Sequence, residues 1–190
     1  MLFNPGSISL NMWAFSFAQM VASPLLTKIM AILGSSFYII LPAVALYLYF
    51  RKDMNAYSFV VAVVLFFIVS DLLKMLLAEP RPCSTGIGTW LNGMVSCESS
   101  YSLPSNHASV LTGLTFFMGK YRYVQALYII WLVLILFGRV YLAAHYLTDV
   151  IAGVVLSIVL YYLISKVKNR INHMINGVVK KILPFLAIKE

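Results

Sequence analysis

Long apolar runs, separated by short polar breaks, set the pattern of this chain. Five runs stand out, at residues 26–50, 55–78, 106–119, 123–140 and 146–165. In lipid a helix satisfies its own backbone groups, so each run is predicted to be a membrane helix. The third is short, bounded by Pro104 on one side and by Lys120-Tyr121-Arg122 on the other. Pro42 falls inside the first, which is tolerable where neighbouring helices satisfy the freed carbonyl. A weaker stretch covers residues 8–21. At about 1.5 Å per residue it reaches about 20 Å, short of a bilayer core of about 30 Å. It is predicted to lie in the interface with Trp13 as an anchor, a tilted sixth span being the rival reading. Beyond Lys166, Ile171, Met174, Ile175, Val178, Val179 and Ile182 recur at three- and four-residue steps among Lys168, Arg170, Lys180 and Lys181. That is a basic amphipathic helix on the membrane surface, with His173 as an interfacial side chain. The expected organisation is an N-terminal interfacial or short membrane helix over 1–25, a transmembrane core over 26–165 and a basic amphipathic segment over 166–190.

Composition agrees. Of 190 residues 62% are hydrophobic, 11% are charged, and the mean hydropathy is +0.90. Soluble domains carry about 25% charged residues, so the chain falls in the membrane class. It is too short for two membrane domains, and the predicted fold is an all-α bundle of five or six transmembrane helices. The net charge of +8 does not mark a nucleic-acid binder, because the cations sit at the ends of apolar runs and in three short motifs rather than in one polar stripe. Contact with anionic headgroups accounts for it. No cleavable signal peptide is expected, since Met1-Leu2-Phe3-Asn4-Pro5 has no basic character.

The cations also give an orientation. Arg51 and Lys52 join the first two spans, Lys120 and Arg122 the third and fourth, and Lys166, Lys168 and Arg170 follow the fifth. Five alternating spans put all three groups on one side, expected to be the cytoplasm. Cys83 and Cys97 fall in the loop between the second and third spans, on the opposite side. A disulfide there suits an oxidising compartment; two unpaired thiols are the alternative.

The remaining polar residues gather in three motifs on that same outer side: Lys74-x6-Arg81-Pro82, Pro104-Ser105-Asn106-His107 and Gly138-Arg139-x5-His145-x3-Asp149. Ionisable groups in a membrane are costly, and their gathering marks a site. Lys74, Arg81 and Arg139 form a clamp able to neutralise phosphate oxygens. Lys74 and Arg81 stand about two helical turns apart and can point the same way, with Pro80 and Pro82 ending the helix. An ion pair of Lys74 with Asp71 is the bland reading, and Asp71 can also position Lys74 for phosphate. Ser105 suits a helix cap, and a helix start offers free N–H groups to an anion. His145 and Asp149, four apart, are expected on one helix face, where the carboxylate fixes the imidazole tautomer. Arg139 and His145 would diverge on a continuous helix, so a turn is expected between them. Three histidines and six acids offer no cluster of metal ligands, and no metal or cofactor is expected.

Together the motifs resemble the type 2 phosphatidic acid phosphatase family, relatives of the vanadium haloperoxidases. Its pattern is Lys-x6-Arg-Pro, Pro-Ser-Gly-His and Ser-Arg-x5-His-x3-Asp. Asn106 stands where Gly is usual, and Gly138 where Ser is usual. Asn106 either narrows the cradle or lends an amide to the substrate, and Gly138 lacks a hydroxyl that would contact phosphate. The resemblance implies that His145 attacks phosphorus to form a phosphohistidine, that Asp149 orients it, and that His107 protonates the leaving oxygen. Lys74, Arg81, Ser105, Asn106 and Arg139 then bind phosphate. The implied activity is a metal-independent lipid phosphatase of the cell envelope, acting at the outer face of a bacterial plasma membrane. The family's substrates include undecaprenyl diphosphate, lipid A phosphate, phosphatidylglycerol phosphate and phosphatidic acid. The compact chain looks most like the small bacterial undecaprenyl-diphosphate or lipid A phosphatases. A lipid-to-lipid phosphotransferase would need the same residues, and a non-catalytic lipid-binding bundle is the alternative of another class. Expected partners are the lipid phosphate and membrane lipids, with no nucleic acid and no obligate protein partner. Helix lengths counted back from Lys120 and Lys166 place His107 about 10 Å below the outer hydrocarbon surface and His145 near it, a shallow pocket.

Overall fold

A computed structural model describes residues 8–91 and 93–188. The N-terminal residues Met1–Pro5, expected to carry no leader, lie outside that set. Among the described residues the regular structure is entirely helical: α1 (Ser9–Met20), α2 (Pro24–Ser35), α3 (Phe37–Phe50), α4 (Asn55–Leu77), α5 (Asn106–Leu114), α6 (Arg122–Tyr141), α7 (Leu147–Ile182) and short 3-10 turns. Three helices, α4, α6 and α7, are long and apolar enough to cross a membrane. The bent pair α2–α3 makes a fourth.

α5 forms the centre of the bundle, packed against α7 and α4. Its Val110, Leu111 and Leu114 are sealed among Leu48, Phe59, Phe66 and Ile135. With nine residues it is about 13 Å long and is wrapped by protein, so it is a short core helix where a membrane span over 106–119 was expected. A 3-10 turn, Thr115–Met118, continues it. Two glycines let it sit so close. At Gly113 an added Cβ would strike the Phe66 ring and lie 2.8 Å from the Ser157 hydroxyl. At Gly153, on α7, it would lie 2.7 Å from the Ala108 methyl and 2.8 Å from the Ser105 carbonyl. Small residues at such crossings let helix backbones approach in lipid.

The expected single span 26–50 is broken. α2 and α3 meet at Ser36 with a bend of 43°. Pro42 lies inside α3, away from the bend. The Ser36 hydroxyl donates to the Leu33 carbonyl at 2.6 Å and accepts from the Trp131 indole at 2.8 Å, which fixes the break against α6. α1 matches the weak stretch 8–21. Its buried Asn11 accepts the Thr148 N–H and donates to the Thr148 hydroxyl, both at 3.1 Å, docking α1 on the first turn of α7. Trp13 remains 65% exposed, stacked on Phe17.

α7 runs 36 residues without a break, about 54 Å, through the expected boundary at Lys166. Near its end Asn176 exchanges two hydrogen bonds with the Ile188 backbone, folding the C-terminal segment back. Arg51 and Lys120 both lie over the Tyr121 ring, at 5.6 and 5.8 Å from its centre. The cations of the first two expected connections therefore meet at one end of the bundle. The three motifs meet at the other.

Candidate active site

α4 ends at Leu77, and Ala78 turns the chain with φ 49°. Lys74, in the last turn, is almost fully buried. Arg81 follows on extended backbone, so it reaches the site from a loop and not from two turns of one helix. It is 2% exposed, and all its N–H donors are engaged. Nε donates to the Ser100 carbonyl at 2.8 Å, and Nη1 to the Ala144 carbonyl at 2.7 Å and to His145 Nε2 at 3.2 Å. Nη2 donates to the Ser100 hydroxyl at 2.8 Å and pairs with the Glu98 carboxylate at 2.6 Å. Arg139, in the last turn of α6, takes the other Glu98 oxygen at 2.5 Å. Its Nε is buried without a protein partner. Gly34 on α2 leaves room for it: a Cβ there would be 3.4 Å from Nη1.

The expected turn between Arg139 and His145 is present. The Arg139 carbonyl accepts the N–H groups of Ala144 and His145, and Ala143 adopts φ 50°. The Cys83 N–H is held by the Ala143 carbonyl at 3.0 Å, which ties this turn to the loop after α4. His145 thus precedes α7, which begins at Leu147, and does not share a helix face with Asp149 as expected. Asp149 sits inside the first turn, where its Oδ2 accepts the Tyr146 N–H at 2.8 Å. Oδ2 also accepts the Ser102 hydroxyl at 2.5 Å. His145 Nδ1 lies 3.6 Å from that same oxygen and 3.4 Å from the Ser102 hydroxyl. An acceptor at Nδ1 and a donor at Nε2 define one tautomer: Nδ1 carries the hydrogen and Nε2 presents its lone pair to Arg81. Complete burial, then Arg139, Arg81 and Lys74, hold this imidazole well below its ordinary pKa, so it is neutral.

The Pro104–His107 motif opens α5 as expected, with Ser105 at its N-cap. Two details differ. The Ser105 N–H donates to the Asp149 carbonyl at 3.2 Å, so it does not face an anion, while the buried Ser105 hydroxyl oxygen has no partner. The Asn106 amide donates one N–H to Asp71 at 2.7 Å, and its buried Oδ1 has no protein partner. The Asp71–Lys74 ion pair of the bland reading is not among the salt bridges of the described residues. The His107 ring donates Nε2–H to the Gly34 carbonyl at 3.1 Å and packs edge-on against Phe37. That carbonyl stands beside the α2–α3 break.

A cavity of about 160 Å³ joins these groups. Its lining combines the polar groups Lys74, Arg81, Asn106, His107, His145, Glu98 and Ser100 with the rings of Phe37, Tyr38 and Phe67. Arg139, Ser105 and Asp149 adjoin these lining residues: Arg139 pairs with Glu98, Ser105 precedes Asn106, and Asp149 lies beside His145. Among the described residues no group of three or more His, Cys, Asp or Glu gathers to hold a metal. Cys83 and Cys97 form a disulfide, with Cα atoms 5.7 Å apart, across the loop that carries Glu98. Glu98, Ser100 and Ser102 were not visible as site residues in the sequence. The one available signal was that an acid immediately follows Cys97 in the loop joining two basic motifs.

A cavity lined by buried cations and histidines thus lies at one end of a helical membrane bundle. Residues 55–173 match the PAP2 superfamily, and the chain belongs to that family. It is 32% identical over 123 residues to the undecaprenyl-diphosphatase of Sulfolobus acidocaldarius, covering 61% of this chain and 57% of that protein. The chain thus spans little more than half of that relative's length. Its fold is similar to the PAP2-type phosphatidylglycerolphosphate phosphatase of Bacillus subtilis, with a TM-score of 0.65, 22% identity and coverage of 85% and 86%. It is also similar to LpxE of Aquifex aeolicus, with a TM-score of 0.66, 19% identity and coverage of 84% and 97%. The chain is an integral membrane protein.

Proposed function

We propose that the protein is a lipid phosphate phosphatase working through a phosphohistidine. The observation that carries this reading is the tautomer of His145. A neutral imidazole points an unprotonated Nε2 at Arg81, in a wall of cations, while its other nitrogen faces Asp149 and Ser102. Nε2 attacks phosphorus in line with the leaving oxygen, the P–O bond breaks, and its electron pair goes to that oxygen. His107 supplies the proton. Its Nε2–H is committed to Gly34, so Nδ1 is the nitrogen that exchanges it, and a bound dianion favours the charged ring. Water then attacks the phosphohistidine, gives its proton to His107, and releases inorganic phosphate. Lys74, Arg81 and Arg139 neutralise the transferred oxygens, and the unpartnered Ser105 hydroxyl and Arg139 Nε are further donors.

The lipid classes to test first are an undecaprenyl-type diphosphate, after the similar Sulfolobus protein, then phosphatidylglycerol phosphate and lipid A phosphate. The aromatic rings of Phe37, Tyr38 and Phe67 suit a chain that stays in the membrane while its headgroup enters. The site is assigned to the outer face of the plasma membrane, with the Arg51 and Lys120 end in the cytoplasm.

Phosphate release by the purified protein from that panel, with excess EDTA present, tests the reading. Turnover should persist with EDTA and fall to background in His145→Ala, and an acid-labile phosphoenzyme should form in the wild type alone. Release that needs added magnesium or zinc, or that survives His145→Ala, overturns it. Phosphate transferred to a second lipid in place of water would identify a phosphotransferase.

A further inference from the structure

Glu98 occupies the position a phosphate would take. Its two carboxylate oxygens bridge Arg81 at 2.6 Å and Arg139 at 2.5 Å, the geometry in which two guanidiniums hold two oxygens of one phosphate. Arg81 has no spare donor, since its other N–H groups are taken by Ser100, Ala144 and His145. A substrate oxygen can reach Nη2 by displacing either Glu98 or the Ser100 hydroxyl, and Glu98 is the partner that Arg81 shares with Arg139. The carboxylate can leave at low cost: its side chain is 49% exposed, against 2% and 7% for its two partners. Its backbone cannot travel far. Cys97 on one side is bonded to Cys83, and Ser100 on the other is gripped twice by Arg81. Burial alone would raise the Glu98 carboxyl, but Arg139 and Arg81 hold it below its ordinary value, so at neutral pH it is a permanent anion.

We infer that Glu98 is a specificity-determining residue, an internal carboxylate that competes for the phosphate subsite and admits only anions of higher charge. This rests on the proposed phosphatase reading. The protein lies among phosphodiester headgroups at very high local concentration. A diester carries one negative charge, as Glu98 does, and gains no charge by exchanging with it. A phosphate monoester or diphosphate carries about two or more at neutral pH and binds a three-cation cluster more strongly by Coulomb attraction. The tethered carboxylate thus keeps the surrounding phospholipid from filling the site.

The probe is inorganic phosphate, titrated onto purified protein in non-ionic detergent micelles, with and without phosphatidylglycerol. Glu98→Gln keeps the shape and removes the charge. Glu98→Ala is the second variant, and thermal unfolding checks that both fold. Wild type should bind phosphate weakly and ignore phosphatidylglycerol. In both variants phosphate should bind roughly tenfold tighter, about 1.4 kcal/mol, and phosphatidylglycerol should now compete. Equal affinity in wild type and variants, or weaker binding in the variants, overturns the role of Glu98 and leaves the phosphate site standing. Absence of phosphate binding in all three overturns the underlying phosphatase reading.

Discussion

Ser102 stands between the two residues that the third motif supplies. Its hydroxyl donates to Asp149 and lies beside His145 Nδ1, while His145 and Asp149 are too far apart for a strong direct bond. The orienting unit is therefore three residues. Ser102→Ala should lower kcat roughly tenfold, about 1.4 kcal/mol of transition-state stabilisation, and leave KM unchanged. Initial-rate kinetics on a lipid phosphate decide this, and a raised KM with intact kcat would assign Ser102 to phosphate binding. Asp149→Asn should cost more than Ser102→Ala, because both His145 Nδ1 and the Tyr146 N–H turn toward that carboxylate. Glu98 carries a pH dependence of defined sign. Its folded pKa is lowered, so the stability it contributes is present above its ordinary value of 4.5 and is lost as pH falls through the folded value. The difference in phosphate affinity between wild type and Glu98→Gln should be flat across the neutral range and shrink only under that acid limb. Isothermal titration at several pH values measures it.

At the scale of elements, close approach between α5 and its neighbours positions the site. Gly153→Ala should destabilise the protein by roughly 1–3 kcal/mol and abolish turnover, because the new methyl meets the Ser105 carbonyl and pushes the α5 N-terminus off α7. Gly177→Ala, later in the same helix with nothing within 4 Å, should be neutral or stabilising by up to about 1 kcal/mol. Thermal unfolding of the two variants in detergent compares them directly. These contacts also explain what was readable in advance. The runs that became α4, α6 and α7 are long and apolar, so composition alone marks them. The motif residues Lys74, Arg81, His107 and His145 were visible because charge and imidazole stand out against an apolar background, and they do line one cavity. The break at Ser36 was hidden, since a serine in an apolar run has no periodic signature and the bend depends on Trp131 from a distant helix. α5 reads as a full membrane span in the sequence because an apolar surface packed on protein and one packed on lipid share a composition. His145 was misplaced onto α7 because the i, i+4 spacing of His145 and Asp149 fits a helix and also a turn leading into one. Glu98 and Ser102 lie in a loop without periodicity and reach the site through tertiary packing.

The whole molecule has two unlike ends: a cavity with a clamp, and a cluster of cations and aromatic rings around Tyr121. The proposed orientation, with the cationic end inside the cell, puts the Cys83–Cys97 disulfide outside. A membrane-impermeant thiol reagent on intact cells should label the protein only after reduction. Labelling that appears only once the membrane is opened would invert the orientation. Replacing both cysteines by serine should cost about 3 kcal/mol in the loop-closure model for a separation of 14 residues, read as a lower unfolding midpoint. α7 joins the two ends, and its length exceeds a bilayer core of about 30 Å by roughly 24 Å. Its first turns are locked to α5 and α1, and Asn172 and Asn176 near its far end bond Ser58 and Tyr57 of α4, so a change in membrane thickness is met by the lipid around a braced helix. The excess length belongs to one braced frame. A host with a thin membrane and a host with a thick one can carry this chain with its chemistry in the same register, and reconstitution into short- and long-chain lipids should leave turnover within about twofold.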